Sequence, residues 1–259
     1  FSYTVTANFS DFISKMGNLN GTQFLGDKVK MEGSEFNEWY GYVSEGLFLT
    51  QEDLDKSAKL NNETKLGDIK YKDISGPDGV PDGKITPEYD RVLLGGSLPR
   101  YSYAFGFNGQ YKGFDLGFVF NGVGSMNSRL SPAMIEGYAD NWTNFPSLLE
   151  GKYWSAQNTD AQNAAAEYPR LTRANRDGNM QMSDYWLFNG RYIRLKNLTI
   201  GYTLPQALTR RAFIESVRFY VSGNDLFTIS KFPKGWDPEV ATTGYPICRE
   251  FLVGVNVKF

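Results

Sequence analysis

Residues 101–121 read YSYAFGFNGQYKGFDLGFVFN, and taken two at a time they separate into two unlike faces. Tyr101, Tyr103, Phe105 and Phe107 share one side of the first run; Ser102, Ala104, Gly106, Asn108 and Gln110 share the other. Past a tight Tyr-Lys-Gly turn the pattern repeats, with Phe114, Leu116, Phe118 and Phe120 against Asp115, Gly117, Val119 and Asn121. Strands send successive side chains to opposite faces, so this stretch predicts an antiparallel hairpin closed by its glycine. An unbroken aromatic row is unusually crowded for the core of a two-sheet sandwich. Against lipid, with Tyr and Trp towards the interfaces, it is expected.

Working outward, the same alternation returns in FSYTVTANFS (1–10), SVRFYVSGND (216–225) and REFLVGVNVKF (249–259). In the last, Phe251, Val253, Val255, Val257 and Phe259 oppose Leu252, Gly254, Asn256 and Lys258. RYIRLKNLTIGYTLP (191–205) changes parity between Leu195 and Leu198, which predicts a bulge near Lys196–Asn197. A further strand is expected through EWYGYVSEGLF (38–48), giving seven or eight in all. The connections differ in length: 50–100 and 124–185 are long and 228–247 is a loop, whereas 110–113 and 203–215 are short. Outer-membrane barrels combine short periplasmic turns with long extracellular loops. With the carboxyl end in the periplasm, every longer connection from residue 50 onward falls outside; 11–35 is long for a periplasmic turn.

Composition narrows the function. Lys and Arg total 27 against 29 Asp and Glu, a net charge of −2 that provides no polycation for nucleic acid. The 259 residues contain no histidine, which excludes imidazole catalysis and His metal sites, and one cysteine, Cys248, which excludes an internal disulfide. No spacing of carboxylates singles out an acid and a base, so an enzyme is not expected. A chain that opens in mid-alternation reads as part of something longer.

Several strings, in order, resemble the carboxyl-terminal part of SusC-like (SusC/RagA family) TonB-dependent transporters of Bacteroidetes outer membranes. They are GDIKYKDI, DGKI, DRVLLGGSLPRYSYAFGFNGQYKGFDLGFVFNGVG, YPRL, SDYWLFNGRYIRLKNLTIGYTLP, VRFYVSGNDLFTISKF, WDPE and YPICREFLVGVNVKF. The resemblance implies an all-β, antiparallel transmembrane barrel of about 22 strands with a plug. Residues 1–259 would be its carboxyl-terminal part, without the plug, and 50–100 and 124–185 its extracellular loops. It implies TonB-driven import of oligosaccharides or, in some relatives, peptides. The implied partners are a SusD-like surface lipoprotein, TonB and the outer-membrane insertion machinery. The last would read the terminal Phe251–Phe259 strand with its aromatic end.

Three groups of residues are candidates for chemistry. KDISGPDGVPDGKITPEYD (72–90) approximates a calcium loop, with Asp73, Ser75, Asp78, Asp82, the Lys84 carbonyl, Glu88 and Asp90 as oxygen donors. The alternative is a pair of Asp-Gly turns, and the family's uninterrupted Asp-x-Asn-Gly-Asp-Gly run is broken here by an insertion containing two prolines. Asp115, Asn121, Arg218, Tyr220, Asn224, Asn256 and Lys258 face the polar side, where they would line a solute path or bond to a plug and water. Trp142, Phe145, Tyr153 and Trp154, in the long loop, would stack on sugar rings or pack against neighbouring loops. No cofactor is required by any of these roles. Two rivals stand beside the importer: a small self-contained outer-membrane barrel with a structural or adhesive role, and a secreted β-sandwich binding module with a calcium loop.

Overall fold

The computed structural model describes residues 1–130, 146–240 and 245–259, and the chain forms two compact units. In chain order, β1 (Ser2–Ser10) is followed by six short strands: β2 (Gln23–Leu25), β3 (Lys28–Lys30), β4 (Glu38–Tyr42), β5 (Ser44–Leu47), β6 (Ile69–Tyr71) and β7 (Arg91–Leu93). Then come the long β8 (Arg100–Tyr111) and β9 (Phe114–Ser125), the short β10 (Asn127–Arg129) and β11 (Leu187–Asn189), and the long β12 (Tyr192–Thr203), β13 (Ser216–Ser230) and β14 (Glu250–Lys258).

The first unit comprises Phe1–Ile13, Pro99–Met126 and Asn189–Phe259. Its frame is one six-stranded antiparallel sheet in the order β1-β8-β9-β12-β13-β14, in which each strand pairs with the next of the sheet along the chain. The hairpin expected at 101–121 is β8–β9. Its loop is Lys112-Gly113, both at positive φ (47° and 88°), the left-handed pair that two-residue hairpins demand. The expected bulge is also present: register shifts between Leu195 and Asn197 against both neighbours. Because every pairing is antiparallel, the excursions after β1, β9 and β13 all leave from one end of the sheet. The short connections 112–113 and 204–215 lie at the other.

Register keeps the apolar parity in line. Leu116, Ile200, Val221 and Val253 form one row across β9, β12, β13 and β14. All four are exposed.

The second unit comprises Ser14–Leu98 and Asn127–Phe188. It contains a four-stranded sheet β2-β3-β4-β7 and the pair β5-β6. Its core is ordinary: Val29, Tyr42, Phe48, Leu130, Leu149 and Trp186 are buried. Stretch 38–48 therefore does not supply a strand to the long sheet, which has six strands rather than seven or eight among the described residues. The physical reason is that both faces are apolar: Tyr40, Gly41 and Tyr42 are all buried. Gly46 (φ 92°) and a register break between Ser44 and Leu47 then stop it from extending. With that strand removed, 11–35 needs no turn of its own; it begins the single excursion between β1 and β8.

Candidate functional site

The polar face of the six-stranded sheet is built from glycines and the side chains that lie across them. On β12, Gly201 sits between Asp115 of β9 and Arg218 of β13, and a Cβ there would collide with both carboxylate oxygens and with Nη2. The missing side chain lets the pair reach across an entire strand: Arg218 Nε donates to Asp115 Oδ1 at 2.8 Å and Nη2 to Oδ2 at 2.5 Å. Arg218 also stacks over the Tyr220 ring at 4.9 Å, and Tyr220 in turn covers Gly254 of β14. Gly117 beneath Asn108 and Gly106 beneath Thr6 repeat the device. The result is a low-relief polar surface with its charge neutralised in place.

Nearer the excursion end, Asn197 Nδ2 donates to Asn224 Oδ1 (2.8 Å), and Asn224 Nδ2 to Glu250 Oε2 (3.1 Å). Thr199 and Ser222 hydroxyls meet at 2.7 Å. The bulge then places Lys196 against Asp225 at 2.9 Å. Beyond it, Arg194, with a side chain 1% exposed, gathers Asp237 (2.6 Å), Glu239 (2.8 Å) and the Thr228 hydroxyl (2.9 Å). These contacts pin the loop after β13 to the strand surface. Under that loop is a cavity of about 440 Å³ lined by Arg194, Asp225, Trp236, Asp237, Lys234 and Arg249 among others. An arrangement of paired charges, amides and hydroxyls, with Trp236 beside them, suits reversible hydrogen bonding to a polar solute. It holds no nucleophile–base pair.

Of the polar-face candidates, Asp115, Arg218 and Tyr220 come together, whereas Asn224 belongs to the separate amide ladder. Asn121 is in register with Arg194, Asn256 with Arg218, and Lys258 bonds Glu215 in the turn before β13. Arg194, Asp237 and Glu239 were not singled out in the sequence. The faint signal was the WDPE string, which indicates a turn but names no partner.

The second unit collects the other quoted strings. Asp68 of GDIKY is fully buried and accepts from Arg170 of YPRL (2.6 and 2.9 Å), Asn175 (2.8 Å), Asn179 (2.9 Å) and the Lys65 amide (2.9 Å). Trp154 packs its ring on Gly67 (φ 81°), so it serves this junction; Trp142 and Phe145 lie outside the described residues. In loop 73–90 three of the five carboxylates serve the backbone, while Asp78 and Glu88 are exposed. Asp90 accepts from the amides of Ile74, Ser75 and Thr86, Asp73 from Gly83, and Asp82 from Lys84. Among the described residues no three His, Cys, Asp or Glu side chains cluster as metal ligands. Near this unit's surface, Lys70 between Asp53 and Glu45 holds the Asp53 carboxyl below its usual range.

The first unit is thus an antiparallel sheet that exposes an apolar row on one face and sends its long excursions from one end. The RagAB peptide transporter shares the fold, with a TM-score of 0.72 at 19% identity over 99% of this chain and 27% of that one. In sequence the chain is similar throughout its length to TonB-dependent receptor P3 of Formosa agariphila, at 26% identity over 288 residues and 27% of that protein. It is likewise similar to TonB-dependent receptor SusC of Bacteroides thetaiotaomicron, at 26% identity over 271 residues and 24% of that protein. The resemblance to SusC-like transporters thus holds over the whole chain, which spans about a quarter of the length of these relatives. No family model matches.

Proposed function

We propose that the chain is the carboxyl-terminal wall of a TonB-dependent outer-membrane importer, closed into a plugged barrel by parts of a longer polypeptide. In this reading β1, β8, β9, β12, β13 and β14 cross the bilayer, and the three excursions face outside. A SusD-like lipoprotein closes over them, and the Phe251–Phe259 strand carries the insertion signal. The cargo is an oligosaccharide, met by the polar face and the Arg194 cavity; a peptide is the alternative. The observation that carries the reading is the exposed apolar row Leu116–Ile200–Val221–Val253, opposite a face of bonded ion pairs and amides. Open edges at β1 and β14 are untenable in lipid and call for further strands. Loop 73–90 is, in this proposal, a self-capped turn; heat on calorimetric titration with millimolar calcium would overturn that part.

The test is reconstitution of the complete polypeptide with its lipoprotein partner, and calorimetry with a panel of oligosaccharides and of peptides. Saturable oligosaccharide binding, weakened by Arg194→Ala, agrees with the proposal. Binding of peptides alone overturns the cargo, and a folded monomer soluble without detergent overturns the wall itself.

A further inference from the structure

At the short-connection end of the sheet, the chain between β12 and β13 forms a compact turn, Gln206–Thr209 followed by Arg210–Ala212. It is bonded to itself and to the sheet. Phe213 N–H donates to the Arg210 carbonyl and Ile214 N–H to that of Thr209, both at 3.2 Å, while Glu215 N–H reaches the Lys258 carbonyl at 2.8 Å. At its tip Phe213 takes φ 59°, a left-handed conformation that bulky residues avoid. Its ring is 94% exposed. Glycine or asparagine would hold such a turn with less strain, so the ring adds nothing inside the unit. A strained backbone that presents a bare aromatic ring implies something outside for it to meet.

The surroundings say what. Arg210 and Arg211 are exposed beside the ring, and among the described residues neither has an ion-pair partner; Leu208 is exposed as well. Lys112 is exposed on the neighbouring turn. The acid of this turn, Glu215, is already engaged by Lys258 at 2.7 Å. Tyr111, Phe114 and Phe259 are exposed at the same end of the sheet. Uncompensated arginines next to exposed aromatic rings complement an anionic headgroup layer: guanidinium forks fit phosphates, and rings settle at the interface.

We infer that the 206–215 turn is a lipid-docking element, with Phe213 inserted at the boundary of the inner leaflet and Arg210 and Arg211 on phospholipid phosphates. The inference rests on the membrane reading proposed above. It is tested on the complete polypeptide in lipid nanodiscs, its own cysteines, Cys248 included, replaced by serine, and a nitroxide attached to Phe213→Cys or, as reference, Val255→Cys. At position 213 the label should relax more with oxygen than with a water-soluble nickel chelate, and more so in phosphatidylglycerol discs than in purely phosphatidylcholine discs. Arg210→Gln with Arg211→Gln should abolish that difference between discs. If 213 favours the nickel chelate while 255 favours oxygen, the ring faces water or a protein and the inference fails. Equal behaviour in both discs overturns the phosphate contact. If 255 also favours nickel, the membrane reading fails instead.

Discussion

In the six-stranded sheet Val253 is 82% exposed, whereas in the excursion unit Trp186 is 1% exposed. One chain thus sorts its side chains by two opposite rules. In the second unit apolar rings go inside, and the Asp68 carboxylate buried among them has both oxygens bonded. In the first, apolar side chains of one parity go outward while Arg218 pairs with Asp115 on the other face. Burial of apolar surface stabilises a fold by removing it from water, so the first rule fits the proposal that this face of the sheet meets lipid. What differs between the two regions is the medium each face requires.

The strongest way to break the second rule is Asp68→Ala. It strands Arg170, Asn175 and Asn179 without their acceptor, and removing one partner of a buried pair costs about 3–5 kcal/mol. Amide exchange should rise through 61–71 and 168–186 and stay unchanged in β12–β14. Uniform loosening of both units would show that they are not separable in stability. The matching assault on the first rule is Val253→Arg. On a lipid-facing strand it should cost about 2–4 kcal/mol near the bilayer midplane, read as a lower unfolding midpoint in liposomes. A face that meets water would tolerate it with no measurable change.

The strands were legible because a period of two writes itself into the sequence wherever the faces differ, as at Phe114–Asn121 and Phe251–Phe259. Stretch 38–48 does form strands, β4 and β5, but its place outside the long sheet was not legible: Tyr40, Gly41 and Tyr42 are all buried, and parity carries no information when both faces are apolar. The partners were illegible. Asp115 and Arg218 are 103 residues apart, and Asp68 and Arg170 are 102 apart. GDIKY and YPRL could be recognised as strings without any sign that they bond to each other. The role of Gly201 as the gap under an ion pair depends on the register of three strands at once.

Two glycine substitutions sharpen the comparison at a smaller scale. An added Cβ at Gly41, in β4, would strike the Met182 backbone carbonyl, which also accepts the Tyr42 amide at 2.8 Å. Backbone cannot swing aside, so Gly41→Ala should cost about 1–3 kcal/mol by overpacking. At Gly201 the obstacle is the tips of Asp115 and Arg218, which can swing away from the polar face. Gly201→Ala should therefore stay within about 1 kcal/mol, the scale of a half-exposed pair. Parallel thermal melts decide this; a larger loss for Gly201→Ala would mean that the ion pair is rigidly held.

The mildest perturbation of the second unit is alkaline pH. Burial pushes the Tyr168 phenol from 10.0 up to about 12, and burial raises Tyr71 and Tyr185 as well. A raised folded-state value means the neutral phenol is favoured by folding. This contribution is complete below the unfolded value of 10.0 and is lost as pH rises through about 12. Tyr71 adds to it, because its hydroxyl donates to the Gly178 carbonyl at 2.8 Å and ionisation removes that donor. Between these values the second unit should loosen, with tyrosinate absorbance and amide exchange in 146–188 rising together. Tyr168→Phe should delay the transition, since no ionisable group then remains at that buried position. If the variant loosens at the same pH as the parent, the alkaline weakness belongs to Tyr71 and Tyr185.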